Sequence, residues 1–95
     1  MTRAERLSAA LSKPHAVSAL VSLLDEPGIS AAKLARLMGA NQPSTGRVMA
    51  KHLASFGLAS IKKVPGPFKK SATAISLTAT GEKLARGLAR LQLLL

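Results

Sequence analysis

Apolar side chains recur at helical spacing up to about residue 56, alternate between about 58 and 77, and return to helical spacing from about 79 onward. Leu7, Ala10 and Leu11 share one face of a helix predicted over about 3–11, opened by the T-x-x-E capping box of Thr2 and Glu5. Ser12-Lys13-Pro14 reads as the next start, since proline is tolerated in a first turn where its missing N–H is not needed. Val17, Leu20, Val21 and Leu24 follow at i, i+3, i+4, i+7 and are the expected buried stripe of a helix over about 13–25. Pro27-Gly28 ends it.

Ser30 is placed to cap a third helix over about 31–38, with Leu34, Leu37 and Met38 inward, Lys33 and Arg36 outward, and Gly39 as the left-handed exit. After a short turn, Asn41 is a good N-cap and Pro43 a good first-turn residue for a fourth helix over about 42–56, stopped by Gly57. Val48, Met49, Leu53 and Phe56 are expected inside it. Ser44, Arg47 and Lys51, spaced i, i+3, i+7, form a polar and basic stripe outside. Gly46 within this helix either admits a close approach to a DNA backbone or is a weak spot worth about 1 kcal/mol.

The alternating segments predict strands over about 58–64 and 71–77, joined across Pro65-Gly66-Pro67 into a hairpin whose loop carries Phe68, Lys69 and Lys70. Thr78 caps a last helix over about 79–94, with Leu84, Leu88, Leu91 and Leu95 on one side and Lys83, Arg86 and Arg90 on another. The fold class is therefore mainly α with a small β-hairpin.

Length makes this one domain, 1–95, too small for a large enzyme with an internal cavity. The absence of cysteine excludes disulfides, zinc knuckles and iron–sulfur sites and points to an intracellular setting. A charged start with no long apolar run gives neither signal peptide nor membrane span, so a cytoplasmic location is expected. Fourteen Lys and Arg against four Asp and Glu leave a net charge of +10, which calls for a polyanionic partner. Its distribution is the sharper signal: residues 27–81 hold no acid and carry Lys33, Arg36, Arg47, Lys51, Lys62, Lys63, Lys69 and Lys70. Lys62 and Lys63 are consecutive on a strand and must point to opposite faces.

Catalytic and metal chemistry find no support in the sequence. No acid stands near His15 or His52, there is no G-x-S-x-G, and Gly66-Pro67-Phe68-Lys69-Lys70-Ser71 lacks the second glycine of a phosphate-binding loop. His52 reads as a partly buried or phosphate-facing residue, His15 as a surface or capping one. An enzyme, a cofactor and a metal are not expected.

Ile29-Ser30-Ala31-Ala32-Lys33-Leu34-Ala35-Arg36-Leu37-Met38-Gly39, then Asn41 to Met49, then Phe56-Gly57-Leu58-Ala59, then Ser76-Leu77-Thr78-Ala79-Thr80-Gly81 resemble the winged helix-turn-helix of MarR-like and ArsR-like transcription regulators. The stretch from Gly39 to Gly57 is about one residue longer than the commonest family pattern, and the wing lacks an acid–arginine cluster. The resemblance implies a regulator that binds double-stranded DNA, with the fourth helix in the major groove and the wing, 65–71, on the backbone or minor groove. Such a helix offers its N-terminal half to base edges, which makes Gln42, Ser44, Thr45 and Arg47 the candidate base contacts. Lys33, Arg36, Lys51, Lys69 and Lys70 are candidate phosphate contacts, which position without specifying. A lone wing aromatic such as Phe68 more often folds its loop onto the hairpin than stacks on a base.

Leu77, Leu84, Leu88, Leu91 and Leu95 make a short heptad-like seam, interrupted in propensity by Gly81 and Gly87. Together with Leu7 and Leu11 they are expected to form a homodimer interface through the flanking segments 1–12 and 79–95, unless they close the core of a single chain. No effector pocket can be assigned from the sequence. Two other readings stand beside a sequence-specific regulator: an architectural protein that coats DNA without sequence preference, and a ribosomal or RNA-associated winged helix.

Overall fold

The computed structural model describes residues 2–65 and 71–94. The order is α1 (Arg3–Ala10), α2 (Ala16–Asp25), α3 (Ala31–Leu37), α4 (Pro43–Ser55), β1 (Ala59–Pro65), β2 (Ser71–Leu77) and α5 (Ala79–Gln92). This is a winged helix-turn-helix, mainly α with one small hairpin. Phe68, Lys69, Lys70 and Leu95 lie outside the described residues.

Local chemistry sets most of the boundaries. The Thr2 hydroxyl accepts from the Glu5 N–H at 3.1 Å and donates to the Glu5 carboxylate at 3.0 Å, a variant of the reciprocal box. Ser30 caps α3 by accepting from the Lys33 N–H at 3.1 Å, and Gly39 leaves α3 in the left-handed conformation, φ 78°. Thr78 serves two elements. Its hydroxyl accepts from the Gly81 N–H at 3.1 Å, opening α5, and donates to the Gly57 carbonyl at 2.6 Å, tying α5 to the end of α4.

Two helix starts differ from the sequence pattern. α2 begins at Ala16 instead of residue 13, because His15 adopts a left-handed backbone, φ 69°, while the Ser12 hydroxyl donates back to the Ala9 carbonyl of α1 at 2.7 Å. α4 is capped by Gln42 and not by Asn41, with Pro43 at the first position and no side-chain capping bond.

The buried faces also depart from the hydrophobic pattern. α2 turns Ala16, Ala19, Leu20 and Leu23 inward and leaves Val17, Val21 and Leu24 half-buried. Its sequence is apolar nearly all round, so packing on α5 on one side and on α3 and β2 on another selects the stripe with small residues. In α3 Ala35 is buried and Leu37 is exposed. In α4 the buried face is Gly46, Met49, Ala50 and Leu53, while Val48, expected inside, stands in solvent. Phe56 is half-buried against the core, just past the end of α4.

Small residues decide the α3–α4 crossing. A β-carbon at Gly46 would overlap the Ala31 carbonyl oxygen and lie 3.0 Å from the Ala35 nitrogen. Gly46 therefore lets the two helices of the helix-turn-helix touch backbone to backbone, and neither of its sequence readings holds. Gly81 does the same for α5, where an added β-carbon would overlap the Leu58 carbonyl.

β1 and β2 pair antiparallel from Ala59↔Leu77 through Ile61↔Ile75 to Pro65↔Ser71. A third, one-residue strand escaped the sequence reading: Ile75 donates to the Ile29 carbonyl at 2.8 Å and accepts from the Gly28 N–H at 2.9 Å. The hairpin is thereby pinned to the turn that precedes α3. Leu20, Leu23, Leu34, Leu53 and Ile75 are the largest fully buried side chains, each worth about 1.5–3 kcal/mol on burial.

Candidate nucleic-acid interface

α4 has two unlike faces. Gly46, Met49, Ala50 and Leu53 are buried, and across the helix Ser44, Arg47, Val48 and Lys51 are exposed. At about 100° per residue the exposed four fall within roughly a third of the helix circumference. Ser44, Arg47 and Lys51 thus share one surface, as their spacing implies. Thr45 is half-buried at the edge of this face, and Gln42 is exposed at the N-cap. Val48 was missed because a valine in a helix reads as core.

Around this face the basic residues differ in their freedom. Arg36 is exposed in the last turn of α3. Lys33 donates to the Glu26 carboxylate at 3.0 Å, with both side chains 44% exposed, so the candidate phosphate contact on α3 is already paired with an acid. Lys62 and Lys63 are exposed on β1. In-register partners share a sheet face, so Lys63 lies on the Ile61 and Ile75 side and Lys62 on the other. Lys69 and Lys70 lie outside the described residues.

The far end of α4 is fastened to α1. His52 is half-buried, with Nε2 2.9 Å from the Ala10 carbonyl and its ring edge-on to Phe56 at 5.2 Å. A carbonyl only accepts, so Nε2 carries the proton, and the imidazole satisfies one of the carbonyls that α1 leaves open at its C-terminus.

The leucines of the expected seam divide into two groups. Leu11, Leu84 and Leu88 pack against the core and are half-buried, whereas Leu7 and Leu91 are exposed and Leu93 and Leu94 more so, at 87% and 81%. Leu7 and Leu84 line a cavity of about 290 Å³ bounded by α1, the Phe56 end of α4 and the start of α5. Among the described residues no helix is long and apolar enough to cross a membrane, and no three His, Cys, Asp or Glu gather to hold a metal.

No family model and no curated protein matches the chain. Solved structures do. The PcaV transcriptional regulator of Streptomyces coelicolor is 26% identical, with 81% of this chain covering 54% of that one at a TM-score of 0.64. A MarR family transcriptional regulator of Silicibacter pomeroyi is 24% identical, with 93% covering 56% at 0.69. The transcriptional repressor CouR, seen bound to a 23-mer DNA duplex, is 20% identical, with 92% covering 59% at 0.66. The chain spans little more than half the length of these proteins. In fold, it is a winged helix-turn-helix similar to that of MarR family regulators.

Proposed function

We propose that this chain is a transcriptional regulator that binds double-stranded DNA sequence-specifically, with α4 in the major groove. The observation that carries the reading is the division of α4: one face is used by the core, and the opposite face presents Ser44, Arg47 and Lys51 to solvent. A helix held by one face can enter a groove about 12 Å wide with the other. Gln42, Ser44, Thr45 and Arg47 are assigned to base edges, with Arg47 bidentate to guanine and Gln42 to adenine. Arg36, Lys51, Lys69 and Lys70 are assigned to phosphates, and Lys33 joins them if Glu26 releases it. The fold shared with CouR, a protein bound to a duplex, supports the assignment.

Residues 1–95 act in this reading as one domain that pairs with a second copy through α1 and α5. On and beside these two helices Leu7, Leu91, Leu93 and Leu94 are apolar surface that the core leaves uncovered. Two recognition helices related by a two-fold axis would then read half-sites about 34 Å apart.

The test is a titration of the whole chain against random duplex, duplex selected by the protein, and structured RNA, each at several salt concentrations. Tighter binding to selected duplex at every salt is expected. Equal affinity for all duplexes turns the reading into architectural coating of DNA, and preference for RNA removes the DNA assignment.

A further inference from the structure

Val48 occupies a position that neither the core nor the helix explains. It is 54% exposed and sits between Ser44 and Lys51 and beside Arg47, on the face of α4 opposite the buried one. A β-branched residue is a poorer helix former than the lysine, arginine or alanine that an exposed position usually holds. Among the described residues no packing partner covers it, so its apolar surface is free to meet a bound molecule. In a helix its side chain is nearly confined to one rotamer, so its two methyl groups form a rigid apolar point inside a polar stripe.

The major groove holds one apolar group at base level, the 5-methyl of a pyrimidine, and apolar side chains are what contact it. We propose that Val48 reads such a methyl, that of thymine in unmodified DNA, at the base step next to the one Arg47 addresses. The inference rests on the docking of α4 proposed above and adds a specificity determinant to it. A side chain that met only the hydrogen-bonding edge at this position would leave thymine undiscriminated from uracil.

The experiment replaces each thymine of the selected duplex in turn by deoxyuridine, which removes the methyl and nothing else, and measures affinity for the whole chain and for Val48→Ala. Loss of about fourfold, the worth of one buried methyl, is expected at one position of each half-site for the unsubstituted chain. Val48→Ala should lose about the same on the thymine duplex and nothing further on the uracil duplex. Where the sensitive position holds cytosine, a fourfold gain on 5-methylation supports the proposal and names methylcytosine as the source.

Unchanged affinity for every uracil and methylcytosine duplex, with duplex binding intact, overturns the role of Val48 and leaves the docking of α4 standing. An equal loss by Val48→Ala on thymine and uracil duplexes also overturns it. Failure to bind any duplex removes both readings. The uracil series on the unsubstituted chain needs no variant, so its result holds whether or not Val48→Ala keeps the melting temperature.

Discussion

Gly46 of α4 faces the carbonyl oxygen of Ala31 in α3 so closely that no β-carbon fits between them. The contact is backbone on backbone, so neither side can yield by turning a side chain. It fixes the crossing of the two helices and, through it, the direction in which Arg47 and Lys51 point.

Gly46→Ala should therefore run against propensity. In an exposed helix the change stabilises by about 1 kcal/mol. Here overpacking against Ala31 and the Ala35 nitrogen, 3.0 Å from the added carbon, should outweigh that gain and cost about 1–3 kcal/mol net. Urea denaturation measures it. A variant as stable as the parent would mean that the helices cross less tightly than described.

Thr78→Ala should cost about 1–2 kcal/mol, at the upper end for a lost cap. One hydroxyl holds both the first turn of α5 and the Gly57 carbonyl at the exit of α4, so both bonds go together. Thr78→Ser keeps the hydroxyl and should retain most of the stability, which thermal melting of the pair will show.

His52→Phe separates two roles of that ring. The edge contact with Phe56 survives, while the bond to the Ala10 carbonyl is lost, for an expected cost of about 1 kcal/mol. Hydrogen exchange should place the loss in α1, whose open C-terminus the imidazole closes. Protection lost evenly across the chain would contradict this local assignment.

These positions also mark how far the sequence could be read. Thr2, Ser30, Thr78 and Gly39 act within three or four residues, so their caps and turns are legible, and the alternation marks both strands of the hairpin, although not their pairing, which joins Pro65 to Ser71. The start of α2 is not legible, because the left-handed backbone of His15 leaves no mark in residue type. Val48 and Gly46 were misread for one reason. Hydrophobic periodicity assumes that large apolar residues go inside, whereas a close helix crossing turns the small ones inward and the valine out. The stripe of Ser44, Arg47 and Lys51 was legible from its period, but the pairing of Lys33 with Glu26 spans a turn and needed the structure.

Arg47 and Lys51 lie on one face but are assigned different work, and their alanine variants should separate it. Arg47→Ala should cost about 1–3 kcal/mol on the selected duplex and relax preference at one base pair. Lys51→Ala should weaken binding to all duplexes alike and reduce the salt slope by about 0.9. Binding assays across base-substituted duplexes at several salt concentrations will tell the two apart, and identical behaviour would remove the division between base and phosphate contacts.

Glu26→Gln addresses the one basic side chain of the proposed interface that is paired with an acid among the described residues. The bond from Lys33 Nζ to Glu26 is 3.0 Å long but half-exposed at both ends, so its loss should change stability by less than about 1 kcal/mol. Binding is where the change should show. A phosphate that approaches α3 must displace the carboxylate to reach Lys33, and the carboxylate also repels it. With glutamine in place, Lys33 can neutralise a phosphate without that exchange, so affinity for duplex should rise and the salt slope should steepen by up to about 0.9. An unchanged slope, at unchanged stability, would mean that Lys33 braces α3 against the end of α2 and does not meet DNA. Phosphate contact on α3 would then fall to Arg36 alone.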